Sequence, residues 1–246
     1  MDRTRRRKNT GSGRFALIWI VVLIVSLLGI SIAHYGSVPA WAKAIRGYFL
    51  KGPVICIDAG HGGDDEGASS GDQIEKEQTL KIAQLVADDL ESDGIRVVMT
   101  RDDDSTTSLE SRAQTANDAG AFGFVSIHRN MYNGTKTDVK GVEIWTSHDA
   151  GTEETELARL VLKRLTDTGY ITSRGIKGGS MDDPETDYYV IRNTQMPSIL
   201  IELGFLSSED DRAMVEEYAD VTARAIADGI EDWITEQTET ESTTSE

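Results

Sequence analysis

The sequence predicts an α/β domain, a sheet layered between helices, preceded by one long apolar segment near the N-terminus. Short apolar runs alternate with segments that carry an apolar stripe at helical spacing, which indicates strands alternating with helices. Runs such as VICI and ILIEL are nearly continuously apolar, as expected for central strands covered on both faces. With 246 residues, the chain is long enough for one such domain and additional segments.

The first fifty residues differ in composition from the rest. Residues 1–14 form a basic head with six Arg or Lys, and residues 15–33 are almost entirely apolar. These 19 residues match the length that a helix needs to cross about 30 Å of hydrocarbon, and the basic flank predicts a cytoplasmic N-terminus and an exported remainder. We therefore expect a transmembrane anchor, followed by a linker over residues 34–51. The alternatives are a buried core helix and a signal peptide cleaved near Ala40-Trp41-Ala42.

From residue 52 to residue 235 the pattern predicts a single domain with six strands. The strands are PVICID (53–58), IRVVMT (95–100), FGFVSIH (122–128), GVEIWT (141–146), DYYVIR (187–192) and SILIEL (198–203). Helices are predicted over residues 75–91, 109–119, 152–166, 209–218 and 220–235. Residues 236–246 are polar and acidic and contain no apolar residue, which predicts a disordered tail.

The chain beyond residue 14 is strongly acidic. It holds 19 basic and 41 acidic residues, a formal net charge of −22. Such a surface argues against nucleic acid as a partner, and binding to any anionic polymer would require local cations or a metal ion. The chain has a single cysteine, Cys56, so no internal disulfide is possible. Because it lies inside an apolar run, Cys56 is interpreted as a small core residue.

Four polar residues lie at or near the carboxyl ends of predicted strands, where α/β sheets build their sites. His61 follows the first strand, Glu75 opens the first helix, and His128 ends the third strand. Two histidines and a carboxylate are a usual hydrolytic zinc set that leaves a fourth position for water. Their separations of 14 and 53 residues match no local metal motif, so each alone also has an ordinary structural explanation. Glu202 lies in an apolar strand, where an unpaired carboxylate is costly, so it must be paired, protonated or functional.

Five segments of the chain, in order, resemble the zinc-dependent N-acetylmuramoyl-L-alanine amidases of the division and sporulation type. They are VICIDAGHGGDDEGA (54–68), IEKEQTL (74–80), TRDDDSTTSLESRAQTAND (100–118), FVSIHRN (124–130) and MPSILIELGFLSSEDD (196–211). The resemblance extends from about Gly52 to Trp233, which is essentially the whole predicted domain.

The resemblance implies a mixed, mainly parallel six-stranded sheet flanked by helices. It implies that Zn²⁺ is bound by His61, Glu75 and His128, and that Glu202 is the catalytic carboxylate. The implied reaction is cleavage of the amide bond between N-acetylmuramic acid and L-alanine in peptidoglycan by a zinc-activated water. Two alternatives stay open, a zinc peptidase that cuts within the stem peptide and a wall-binding module without catalytic activity.

Two arginines are candidate substrate-binding residues. Arg129 stands where the family usually has a small residue, and a cation there would suit a peptide carboxylate or a muramic-acid oxygen unless it points outward. Arg192 is the second candidate, as a cation that helps to stabilise the tetrahedral oxyanion. A milder departure is Ala59, where the family commonly has proline.

The expected partners are peptidoglycan and the cytoplasmic membrane. Some division-type members carry a long regulatory helix between the third and fourth strands. Here only residues 129–140 occupy that place, and they contain the turn signal Asn133-Gly134. We therefore expect no obligatory activator.

Overall fold

The computed structural model describes residues 52–134, 139–183, 186 and 188–244. The basic head, the predicted anchor and the linker lie outside these residues. Within the part of the chain that is described, no helix is both long and apolar enough to cross a membrane.

Strands and helices alternate along the described chain. The strands are β1 (Val54–Ala59), β2 (Ser69–Ser70), β3 (Gln73–Ile74), β4 (Arg96–Met99), β5 (Gly123–Asn130), β6 (Val142–Thr146), β7 (Ser173–Gly178) and β8 (Ser198–Phe205). The helices are α1 (Glu75–Ser92), α2 (Leu109–Asp118), α3 (Thr152–Asp167), α4 (Tyr189–Asn193), α5 (Glu209–Glu216) and α6 (Ala219–Thr244).

Six of these strands form one sheet in the order β4-β1-β5-β8-β6-β7, and β2 pairs with β3 in a short hairpin. Strand β6 runs antiparallel to β8, whereas the other neighbouring pairs of the main sheet are parallel. The predicted mixed, mainly parallel six-stranded sheet is thus confirmed. Strands β6 and β7 run opposite to β1, β5 and β8. The amino ends of β6 and β7 therefore lie at the same end of the sheet as the carboxyl ends of β1, β5 and β8.

The core lies on both faces of this sheet, because successive side chains of a strand point to opposite faces. On one face, Val125 and Ile201 belong to a cluster that includes residues of α1, α3 and α6. On the other face, Cys56, Phe124 and Leu200 pack with residues of α2 and α4. Strand β8 is buried at every position, which explains its continuous apolar run.

One strand prediction was wrong. Residues 189–192 of the predicted strand 187–192 belong to the short helix α4, whose Val190 and Ile191 are buried in the core. The sixth strand is instead β7, which the sequence pattern did not reveal. Strand β7 lies at the edge of the sheet and is largely exposed, so its sequence SRGIKG does not need the apolar alternation of a buried strand.

The C-terminal helix is longer than its composition predicts. Helix α6 continues to Thr244, so residues 236–244 do not form the predicted disordered tail. Glutamate and glutamine are good helix formers even without burial. The buried Trp233 anchors the helix in the core, and the Glu236 carboxylate lies 4.0 Å from the guanidinium of Arg159 on α3.

Candidate metal centre and catalytic site

The sheet topology brings the predicted metal ligands and the predicted catalytic carboxylate to the same end of the sheet. His61 lies in the loop after β1, and Glu75 is the first residue of α1. His128 in β5 and Glu202 in β8 are paired in register on adjacent parallel strands, so their side chains project from the same face. The predicted residues therefore lie together at the carboxyl ends of the central strands.

His61, Glu75 and His128 form what we call the His–Glu–His cluster. The Glu75 Oε1 atom lies 3.2 Å from His61 Nε2 and 3.1 Å from His128 Nδ1. One nitrogen or oxygen from each of the three side chains lies within 4.8 Å of the others. Three such atoms converging on a small volume are the donor set of a hydrolytic zinc site.

The Glu75 carboxylate is held in place by backbone amides. Oε2 accepts a hydrogen bond of 2.8 Å from the Ala68 amide, and Oε1 accepts one of 2.8 Å from the Arg129 amide. Burial favours the neutral acid, but hydrogen bonds from His128 and His61 hold the pKa of Glu75 well below its ordinary value. Glu75 is therefore an ionised carboxylate in a fixed position.

A second carboxylate orients His61. The Asp65 Oδ2 atom lies 2.8 Å from His61 Nδ1, which leaves Nε2 to face Glu75. Such an outer carboxylate commonly fixes the tautomer of a metal-binding histidine. Burial opposes protonation of His61, but Glu75 and Asp65 together raise the pKa of its imidazole to about 9. The backbone of His61 has a φ of 60°, a left-handed conformation that costs a non-glycine residue energy.

The imidazole of His128 packs directly on the backbone of Gly60. A Cβ atom placed on Gly60 would lie 2.4 Å from His128 Cε1, which is closer than nonbonded atoms approach. This glycine, in the DAGHGG segment, thus permits the two histidines to approach to 4.9 Å between ring centroids.

Two buried arginines hold the loop that carries His61. Arg112 of α2 donates to the carbonyl of His61 at 2.6 Å and to Asp58 Oδ1 at 2.7 Å. Arg101 donates to the carbonyls of Ala59 and Gly60, each at 2.9 Å. These structural roles of Arg101 and Arg112 were not predicted from the sequence, although the T-R-D and L-x-x-R segments that contain the two residues carry part of the family resemblance.

Glu202 is a buried carboxylate of the site that lacks a hydrogen bond at one of its oxygens. It is 8% exposed, and its Oε2 atom has no hydrogen-bond partner among the described residues. Burial raises the pKa of Glu202 to about 7, and the neighbouring carboxylates of Glu75 and Glu143 act in the same direction. A carboxyl group with a pKa near neutrality can both accept and return a proton.

The expectation that Arg129 contacts the substrate is wrong. Its side chain is 2% exposed and, because it follows His128 in the strand, points to the opposite face of the sheet. There the guanidinium donates to Gln78 Oε1 at 2.6 Å and to the carbonyl of Asp211 at 2.9 Å. Arg129 therefore ties β5 to α1 and α5.

Arg192 also lies away from the predicted site. It is an exposed residue of α4 and lines a cavity together with Pro197 and Ser198. Ser198 begins β8 and is four residues from Glu202, about 13 Å along the strand. The structure thus does not bring this guanidinium to the His–Glu–His cluster.

A carboxylate–arginine pair beside Glu202 was not predicted from the sequence. Glu143 in β6 is paired in register with Glu202, and its Oε1 atom accepts a hydrogen bond of 2.5 Å from Arg174 Nε in β7. Both residues lie near the amino ends of their strands. A search at the carboxyl ends of strands misses them, because the reversed direction of β6 is not evident from the sequence.

A cavity of about 270 Å³ opens beside the His–Glu–His cluster. Its walls include the imidazoles of His61 and His128, the segment 106–109 and the buried Val190. It is large enough for a small acyl or amino-acid group next to the His–Glu–His cluster.

Comparisons with known proteins show the family to which the chain belongs. A family model described as N-acetylmuramoyl-L-alanine amidase (Amidase_3) matches residues 55–232. The chain is 36% identical to the uncharacterized protein YqiI of Bacillus subtilis over 187 residues, 75% of this chain and 86% of YqiI. It is 32% identical to the probable cell wall amidase LytH of Staphylococcus aureus over 186 residues, 74% of this chain but only 58% of LytH.

A solved structure shows the same fold. The N-acetylmuramoyl-L-alanine amidase of Clostridium difficile 630 is 33% identical, with a TM-score of 0.68 over 75% of this chain and 97% of that one. The matched family region includes the His–Glu–His cluster and Glu202. The chain therefore belongs to the N-acetylmuramoyl-L-alanine amidase family and is a peptidoglycan hydrolase of that class.

Proposed function

We propose that this enzyme hydrolyses the amide bond between N-acetylmuramic acid and L-alanine with a zinc ion bound by His61, Glu75 and His128, and with Glu202 as the proton-transfer group. The observation that carries the proposal is the position of Glu202. Its buried carboxylate projects from the same face of the sheet as His128, one strand away, and one of its oxygens has no partner among the described residues.

The residues present fit a zinc ion. Two imidazole nitrogens and one carboxylate oxygen converge, and Gly60 leaves room for the His128 ring that supplies one of them. Such a set has the composition of a catalytic zinc site with an open position. When bound, zinc lowers the pKa of a water molecule toward neutrality and polarises the scissile carbonyl.

Glu202 would move the proton in both halves of the reaction. Its free Oε2 atom accepts a proton from the attacking water, and the same carboxyl group then delivers that proton to the nitrogen of the leaving L-alanine. The pKa of about 7 suits both steps, because the group ionises and reprotonates near neutral pH. Asp65 meanwhile keeps His61 in the tautomer that presents Nε2 to the cluster.

The first test is digestion of purified peptidoglycan sacculi by the full-length chain. We expect stem peptides with a free L-alanine amino terminus in zinc-containing buffer, and none after zinc is removed by a chelator. The variant His128→Ala should bring both metal content and product to background, because it removes one of three ligands. Mass spectrometry of the released fragments and metal analysis of both proteins are the measurements.

The released fragments discriminate among the remaining functions. New amino termini at residues other than L-alanine would indicate a peptidase that cuts within the stem, and intact sacculi would indicate a non-catalytic module. We also propose that the chain acts without an activator, because only eleven residues separate β5 from β6. Release that begins only after a second protein is added would contradict this part and leave the amidase assignment intact.

We also propose that the enzyme works outside the cytoplasm, at the membrane surface, held there by residues 15–33. The support is the 19-residue apolar segment behind a basic head. After cell fractionation, the full-length chain with an intact N-terminus should be found in membranes, and added protease should degrade its catalytic domain in spheroplasts. A mature chain in the medium that begins near Lys43 would instead identify the segment as a cleaved signal.

A further inference from the structure

A β-bulge in β7 sets the direction of the Arg174 side chain, at the end of the sheet where Glu143 and Glu202 lie. Between β6 and β7 the register shifts from Val142–Ser173 to Glu143–Gly175, so that Arg174 is the extra, unpaired residue. Gly175 supports the bulge with a φ of 89°, which is readily adopted only by glycine. Bulges often re-aim a side chain next to an active site.

The contacts of Arg174 use its Nε atom and leave its two terminal nitrogens for a ligand. Nε donates to the buried Glu143, and the guanidinium carbon lies 5.2 Å from the ring centroid of Phe205, the last residue of β8. Among the described residues, neither terminal nitrogen of Arg174 takes part in a hydrogen bond. The side chain is 36% exposed, so its two terminal NH₂ groups are accessible while Glu143 and Phe205 hold the guanidinium in place.

The domain surface repels anionic groups, so an anionic group of a substrate needs a local cation. The domain surface is acidic, with a formal net charge of −22 beyond residue 14. The guanidinium of Arg129 is buried on the other face, and Arg192 lies at the far end of β8. Of these three arginines, Arg174 is the one that is partly exposed and lies beside Glu143 and Glu202.

We propose that Arg174 binds a free carboxylate of the stem peptide and makes the enzyme selective for substrates that carry it. This inference rests on the proposed amidase function. A planar guanidinium with two parallel N–H groups matches the two oxygens of a carboxylate. The outer nitrogens of Arg174 have this geometry, while Glu143 and Phe205 hold the group in one orientation.

The spacing favours a carboxylate on the peptide over the oxyanion of the scissile group. Strands β5, β8, β6 and β7 are consecutive, so the backbones of His128 and Arg174 are roughly three strand spacings, about 14 Å, apart. The Arg174 guanidinium lies over the ring of Phe205 in β8, the strand next to β5. An extended peptide advances about 3.3–3.6 Å per residue, so about 14 Å corresponds to about four residues, and the cation lies within that reach of a scissile amide at the His–Glu–His cluster.

The test uses two soluble muramyl peptides that differ only in this carboxylate, which is free in one and amidated in the other. The wild-type zinc enzyme should show a kcat/KM about 10- to 100-fold higher for the free carboxylate. Arg174→Ala should bring this ratio close to one, and Arg174→Lys should give an intermediate ratio, because lysine keeps the charge without the fork. Arg159→Ala, which removes an exposed arginine of α3, should leave the ratio unchanged.

A double variant separates recognition from a structural role. Arg174→Ala alone leaves Glu143 buried without its cation, whereas Glu143→Gln with Arg174→Ala removes both charges. If Arg174 binds substrate, the ratio stays close to one in the double variant. A return of the wild-type ratio would show that Arg174 only neutralises Glu143 and would overturn the proposal.

Binding to the inactive Glu202→Gln variant provides a second readout. In that background, the free-carboxylate peptide should bind more tightly than the amidated one, and Arg174→Ala should abolish the difference. Equal affinities before that change would overturn the inference. If wild-type enzyme cleaves both peptides with equal efficiency, the amidase function stands and the role of Arg174 falls. If it cleaves neither peptide and no sacculi, the proposed function itself fails.

Discussion

Replacement of Glu202 by glutamine is expected to lower the turnover number about 10²- to 10⁴-fold, the usual contribution of a general acid–base group. Metal content should not change, because Glu202 is outside the His–Glu–His cluster. Glutamine has nearly the same shape as glutamate, but it cannot accept the water proton. The measurements are kcat on a soluble muramyl peptide and zinc per chain, with the exposed Glu209→Gln as the matched control.

The Glu202→Gln variant should also remain folded, which makes the kinetic result interpretable. Burial raises the pKa of Glu202 to about 7, whereas an unfolded glutamate ionises near 4.3. Native protein therefore binds more protons than unfolded protein between these values, and this group costs stability as pH rises from about 4 to about 7. At pH 8 the metal-free glutamine variant should be at least as stable as wild type. Near-normal turnover with zinc intact would show that another group moves the proton.

Replacement of Arg112 by alanine is expected to lower the free energy of unfolding by about 3–5 kcal/mol, the cost of breaking a buried ion pair. Arg112 is 3% exposed, and its partner Asp58 is fully buried. The change leaves the Asp58 carboxylate without its cation and the His61 carbonyl without its donor. Urea unfolding of metal-free protein measures the loss, and metal affinity should fall as well, because the loop that carries His61 loosens.

The control for this variant is Arg159→Ala, which breaks an exposed pair with Glu156 and should cost about 0.5 kcal/mol or less. The pH dependence gives a second check. Burial favours the neutral acid, but Arg112, Ser126 and Thr100 hold the pKa of Asp58 below its ordinary value. The pair therefore stabilises the fold above about pH 4 and loses this effect as pH falls through the lower, folded pKa. A loss of less than 1 kcal/mol at pH 7 would contradict the assigned role.

The central strands could be predicted from the sequence because their burial is recorded in composition. Strand β8 is buried at all eight positions and reads as an apolar run, and β1 and β5 behave similarly. The edge strand β7 could not be found this way, since a largely exposed strand needs no apolar side chains. The segment around Val190 and Ile191 was wrongly predicted as a strand for the complementary reason, because one buried helical turn is as apolar as a strand.

The candidate site, like the fold, could be predicted from the sequence only in part. The sequence by itself placed His61, His128 and Glu202 at strand ends, and those ends meet wherever the strands are parallel neighbours. Residue types and motif order thus determined the chemistry of the site, its likeness to an amidase family and the choice of zinc as the expected metal.

Which cations lie beside the site depends on how the strands pack, and the sequence does not predict it. Arg129 is next to His128 in sequence, but the alternation of a strand sends it to the opposite face. Arg174 is 28 residues from Glu202 in sequence, yet the reversal of β6 and the bulge in β7 bring it to the catalytic edge. Strand direction and register arise from long-range pairing, and a linear pattern of residues does not record them.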